Sequence, residues 1–185
     1  MSTKKKRGCT RREFVATVAA GVGGASLAAG CGRTPASRWR FFTNDEAELA
    51  EAIAEQIVPA DQDAGARQAG VVHFMDRQLA GLLRRFQSRY RSGLAGAQET
   101  SLAMFGKKFT QLAWDEQTAI VKALESGKAA GKTWSSQSSS EFLQMMRDHT
   151  MAGFYGSPRH GGNRNYASFK MLKLDYPPVI GRNRR

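Results

Sequence analysis

Two cysteines in 185 residues, Cys9 and Cys31, are too few for a disulfide scaffold. Neither belongs to a Cys-x-x-Cys or a Cys-x-x-Cys-His, so no local redox dithiol or haem-attachment pattern is present. Histidine is also scarce. His73, His149 and His160 share no metal-ligand spacing with one another or with other ligand types. There is no Gly-x-Gly-x-x-Gly, no P-loop and no local sign of a nucleophilic triad. Catalytic, cofactor-binding and metal residues are therefore not assigned to this chain. No apolar run is long enough to span a bilayer, and no segment sustains the alternation of a strand. Acidic residues are outnumbered, 16 against 28 Lys and Arg, for a net charge of +12. Zinc-finger spacing, a helix-turn-helix and an RNA-binding aromatic motif are all missing, so this charge is not read as nucleic-acid binding.

What the chain does have begins at its N-terminus. Lys4, Lys5, Lys6 and Arg7 form a basic region, and Thr10-Arg11-Arg12-Glu13-Phe14-Val15 opens a weakly apolar stretch from Phe14 to Ala29. That stretch has the length of a secretory segment and is rich in Gly and Ala. Residues 1–31 resemble a twin-arginine signal, with Arg11, Arg12 and Phe14 as its marks. An ordinary secretory signal holding two arginines is the alternative. The preferred reading implies passage of a folded protein through the twin-arginine translocase to the periplasm. Ala28-Ala29-Gly30-Cys31 fits a lipid-attachment box, although Ala28 stands where Leu is preferred. Ser26 and Ala28 suit a soluble-type cleavage site as well. If Cys31 is acylated, the membrane surface becomes a partner. Loss of six basic residues and Glu13 with the signal leaves +7, which suits anionic headgroups or an acidic partner.

Residues 32–40 read as a polar tether, and the domain is expected over 41–185. Its pattern predicts an all-α fold of about five helices with an ordered tail rich in Gly, Pro and aromatics. Thr43 and Asn44 are cap types before Asp45 and Glu46, and Ala50, Ile53 and Ile57 form an apolar stripe ended by Pro59. Val71, Met75, Leu79, Leu82, Leu83, Phe86 and Tyr90 keep helical spacing, which predicts one long second helix with Arg84, Arg85, Arg89 and Arg91 solvated. Gly93-Leu94-Ala95-Gly96 is expected to bend or break the chain. Leu102, Phe105, Phe109 and Leu112 mark a third helix. Ile120, Val121 and Leu124 mark a fourth from about Asp115 to Glu125. Phe142, Leu143, Met146 and Thr150 mark a fifth, ending near Gly153.

The segment from Phe142 to Asn163 carries most of the pattern. A helix runs out at Gly153, Phe154-Tyr155 follows, then a turn and the Gly161-Gly162 pair. Glycine permits close backbone approach, so the stretch reads either as a packed loop or as a partner-facing surface. Met145-Met146 reads as core and His149 as structural, since neither has ligand partners at hand.

The run Arg147-x-His149-Thr150-x-x-Gly153-Phe154-Tyr155-x-x-Pro158-x-x-Gly161-Gly162-Asn163, followed by Lys170-Met171-Leu172, resembles the gluconate 2-dehydrogenase subunit 3 family. Ile57-Val58-Pro59 and Gly70-Val71-x-x-Phe74-Met75-Asp76 fit the same pattern, so the likeness covers most of residues 41–176. The resemblance implies a non-catalytic small subunit with no cofactor of its own. The implied partner is an FAD-dependent dehydrogenase large subunit of the glucose-methanol-choline type. A multihaem cytochrome c, carrying haem c, is implied as a third subunit. It also implies maturation and co-export of the large subunit on the small subunit's signal. The pattern is densest at the helix end, and its residue types are those of interface anchors. Arg147, His149, Phe154, Tyr155, Arg159 and Asn163 are therefore expected on, or directly behind, the face that meets the large subunit. Two other readings stay open: a free-standing periplasmic lipoprotein with a binding role, and an enzyme whose groups meet only in the fold.

Overall fold

Thr43 Oγ1 accepts the Glu46 amide at 3.2 Å, and the Glu46 carboxylate accepts the Thr43 amide at 2.8 Å. This reciprocal cap opens α1 (Asn44–Ile57), with Asp45 and Glu46 at its positive end. The computed structural model describes residues 38–174, all within one compact unit, Ala36–Arg185. The predicted export and lipid residues Arg11, Arg12, Phe14 and Cys31 lie outside the described residues. Among the described residues there are six α-helices and no strand.

After α1 come α2 (Val71–Leu79), α3 (Gln87–Phe105), α4 (Trp114–Glu125), α5 (Ser139–Tyr155) and the short α6 (Ala167–Met171). Helix α5 is the hub and packs on α1, α2, α3, α4 and α6. Its inward side chains Phe142, Leu143, Met146, Thr150 and Phe154 are buried, at the spacing of one helical face. They meet Ile53 from α1, Met75 and Leu79 from α2, Leu94 from α3, and Ile120 and Leu124 from α4 in a single core. The all-α domain expected from periodicity is thus the observed one.

Helix boundaries differ from the periodicity in four places. The long second helix is two helices. α2 stops at Leu79, and the chain turns through Ala80-Gly81-Leu82-Leu83 into a 3-10 turn, Arg84–Phe86, before α3 starts. Leu83 and Phe86 still pack on the core, so the apolar spacing runs across the break, but Leu82 points into solvent. The Gly93–Gly96 stretch does not break the chain. It lies inside α3, where a Cβ on Gly93 would come within 2.0 Å of the Phe142 ring and one on Gly96 within 2.6 Å of Trp134. These glycines admit aromatic rings to the helix surface. The third helix has no separate existence. Leu102 and Phe105 finish α3, left-handed Gly106 ends it, and Phe109 and Leu112 anchor a 3-10 turn and its exit. Finally, α5 continues two residues past Gly153 to Tyr155.

Order also begins earlier than Phe41. The Asp76 carboxylate on α2 accepts the backbone amides of Arg40 at 2.9 Å, Phe41 at 2.9 Å and Phe42 at 3.1 Å. Trp39 is buried and lies against His73 with ring centroids 4.7 Å apart. Asp76 is itself buried, so three main-chain donors satisfy a carboxylate that would otherwise be costly to enclose. Trp39 and Arg40, read as tether, are fixed parts of the domain.

Candidate partner interface

The helical wheel of α5 divides cleanly. Opposite the buried face stand Gln144, Asp148, Met151 and Tyr155, all exposed and spaced by four, three and four residues. Met151 and Tyr155 are the large apolar side chains of this stripe, 42% and 40% exposed. Gln144 Nε2 donates to Asp148 Oδ1 at 2.8 Å along this stripe. At its edge, Arg147 donates to Glu125 on α4 at 2.7 Å and to Gln144 at 3.3 Å. Glu125 is exposed and Arg147 half-buried, so solvent screens the pair; it positions the guanidinium and adds little stability.

On the other side of α5, His149 turns inward to Tyr90 of α3. Its Nδ1 lies 2.8 Å from the phenol oxygen, and the two rings are nearly parallel. Tyr90 is fully buried, and burial pushes its pKa strongly upward, so the phenol keeps its proton. That proton has its acceptor in Nδ1, which leaves the imidazole N–H on Nε2. Burial lowers the pKa of His149; Asp148 raises it and Arg85 lowers it further. The imidazole is therefore neutral at pH 7. Phe86 meets it edge-on at 5.3 Å. His149 lines an open cleft of about 290 Å³ with Phe86, Arg89, Glu141, Gln144, Met145 and Asp148. This is a polar recess beside the stripe. Among the described residues no three His, Cys, Asp or Glu side chains are grouped to hold a metal.

Beyond Tyr155 the chain folds back. A Cβ on Gly162 would lie 2.1 Å from the Gly153 carbonyl oxygen, so backbone sits on backbone at that point. Asn163 is buried with φ 43°. Its Nδ2 donates to the Gly156 carbonyl at 2.8 Å, and its Oδ1 accepts the Ser168 amide at 3.0 Å. The Arg164 amide then donates to the Ala69 carbonyl at 2.9 Å, which ties the segment to the start of α2. The Gly153, Gly162 and Asn163 positions form a staple that closes the C-terminal end of α5.

The six expected interface residues therefore separate. Tyr155 and Arg159 are exposed, Arg147 and His149 are half-buried, and Phe154 and Asn163 are buried. The sequence pattern puts Phe154 past a helix end at Gly153. Phe154 lies within α5, one of the largest fully buried side chains, with Tyr155 edge-on at 5.0 Å. Phe154 and Asn163 back the face and do not present it. Gln144, Asp148 and Met151 share the exposed side of α5 with Tyr155. All three precede Gly153, so the helix expected to end there already sets them apart from Phe142, Leu143, Met146 and Thr150.

The sequence model of a family described as Gluconate 2-dehydrogenase subunit 3 matches residues 44–175. No curated protein and no solved structure matches the chain significantly.

Proposed function

Since the chain belongs to the gluconate 2-dehydrogenase subunit 3 family, we propose that it is the non-catalytic small subunit of a periplasmic, membrane-associated FAD-dependent dehydrogenase. In this reading it binds the flavin-bearing large subunit, supports its maturation and carries it through the twin-arginine route. A cytochrome c subunit takes the electrons, and a lipid on Cys31 anchors the assembly. The observation that carries the reading is the family match over the helical domain, including the staple that shapes the end of α5. The α5 stripe is the surface we assign to the large subunit. It combines Tyr155, Met151 and Arg147, types enriched at protein interfaces, with a rigid helical support.

The test is purification of the tagged chain from its native membrane. Mass spectrometry then identifies what accompanies it, and flavin analysis quantifies FAD. A flavoprotein in fixed ratio is expected. Recovery of the chain alone, with no flavin, would overturn the subunit reading.

A further inference from the structure

The turn between α2 and α3 presents surface that the packing does not use. Leu82 is 86% exposed, more than any other large apolar side chain among the described residues. Arg77 precedes it on α2, Arg84 and Arg85 follow in the 3-10 turn, and Arg89 lies one turn into α3, all exposed. No Asp or Glu occurs between Arg77 and Arg91. The ion pairs formed among the described residues involve none of Arg77, Arg84, Arg85 and Arg89. Glu141 and Asp148 share the neighbouring cleft with Arg89 without pairing to it. The turn is rigidly held. The Leu83 amide donates to the Gln78 carbonyl at 2.7 Å, the Phe86 amide to Leu83 at 2.9 Å, and Gln87 Nε2 to Leu79 at 2.9 Å. Leu82 is therefore displayed by a fixed backbone.

We propose that this turn docks on an anionic bilayer surface, with Leu82 entering the headgroup boundary and Arg84, Arg85 and Arg89 facing lipid phosphates. A lone leucine among cations is a poor anchor for a protein partner, because leucine is under-represented among interface hot spots. A bilayer accepts a single apolar side chain in any orientation and lets arginine stems lie along it. The start of the domain is held at the same helix that leads into the turn: Trp39 lies against His73, ring centroids 4.7 Å apart, and the Asp76 carboxylate accepts the amides of Arg40, Phe41 and Phe42. The proposal goes beyond the subunit reading and does not depend on it, since the charge and exposure are this domain's own.

The test uses the full chain with Cys31→Ser throughout, so that no acyl chain contributes. Binding is measured by sedimentation with vesicles of phosphatidylcholine, with and without phosphatidylglycerol. All variants keep the basic N-terminal region, so differences report the turn. Arg84→Gln/Arg85→Gln should weaken binding to the anionic vesicles about five-fold per arginine removed at low salt. Leu82→Ser should weaken it about ten-fold. The control pair Lys107→Gln/Lys128→Gln removes the same charge elsewhere and should weaken it less than about three-fold. Equal losses from the control and the turn pair would overturn the proposal. So would turn variants that keep vesicle binding but lose a co-purifying protein, which would make this surface a protein contact.

Discussion

Replacing Gly93 by alanine sets two effects of known size against each other. Propensity argues for a gain, because glycine in a helix interior costs about 0.8–1 kcal/mol relative to alanine. Packing argues for a loss. The new Cβ would lie 2.0 Å from Cδ2, 2.3 Å from Cε2 and 2.6 Å from Cγ of Phe142. Ordinary carbon contacts are about 3.5–4.0 Å, so the ring must retreat by about 1.5 Å. Phe142 is 1% exposed and packs beside Trp134, so it has no solvent to retreat into. Overpacking of this kind costs about 1–3 kcal/mol, and the size of the clash puts it at the upper end. The net expectation is a loss of about 1–2 kcal/mol, or about 3–6 °C in unfolding midpoint for a domain of this size. Thermal and denaturant unfolding of the wild type, Gly93→Ala, Phe142→Ala and the double variant measure it. In the Phe142→Ala background the added methyl fills the vacated space, so its cost should vanish. The coupling should be at least about 1 kcal/mol. A Gly93→Ala protein that is more stable than wild type would refute the reasoning. So would one equally destabilised with Phe142 removed.

Phe154→Ala should destabilise the domain by about 3–5 kcal/mol, whereas Tyr155→Ala should cost under about 1 kcal/mol and instead abolish co-purification of the large subunit. Unfolding and pull-down on the same two proteins check the split. Asp76→Ala strands the amides of Arg40, Phe41 and the buried Phe42 and should cost about 2–3 kcal/mol, with new protease cleavage near Trp39 read by mass spectrometry. Stability should fall on acidification below about pH 6.5, because His149 and His73 both have lowered folded pKa values and the unfolded chain takes up the proton first. Unfolding midpoints across pH 5–8 should show this fall, and a smaller one in His149→Phe. Replacing Arg11 and Arg12 by Lys should retain the chain and its large partner in the cytoplasm, as cell fractionation would read.

Local signals were legible where a single cause fixes the structure. Thr43 and Glu46 announce the start of α1, and the Glu116 carboxylate accepts the Ala113 amide at the start of α4, as its acidic first turn suggests. Periodicity failed between Leu79 and Tyr90 because the core accepts Leu83 and Phe86 from a turn as readily as from a helix. Gly93 and Gly96 misled because propensity describes an isolated helix, while an incoming ring decides here. At the candidate interface, residue types were visible but orientation was not. Phe154 and Tyr155 are adjacent in sequence and differ completely in exposure, which depended on α5 running past Gly153. The exposed Leu82 was hidden by its place in an apolar series. Asp76 stands in the family pattern, but its role was not legible, because its three partners are main-chain amides far upstream.

That carboxylate also sets how the domain bears load. A pull from the N-terminal side reaches Trp39 first, then the amides of Arg40, Phe41 and Phe42. All are fastened to α2, which is buried against α5. Tension is thus carried to the Asp76 carboxylate on α2 before it reaches the first turn of α1. A domain hauled or held by its leading end therefore resists at the hub of its bundle, and one aspartate decides the route the force takes.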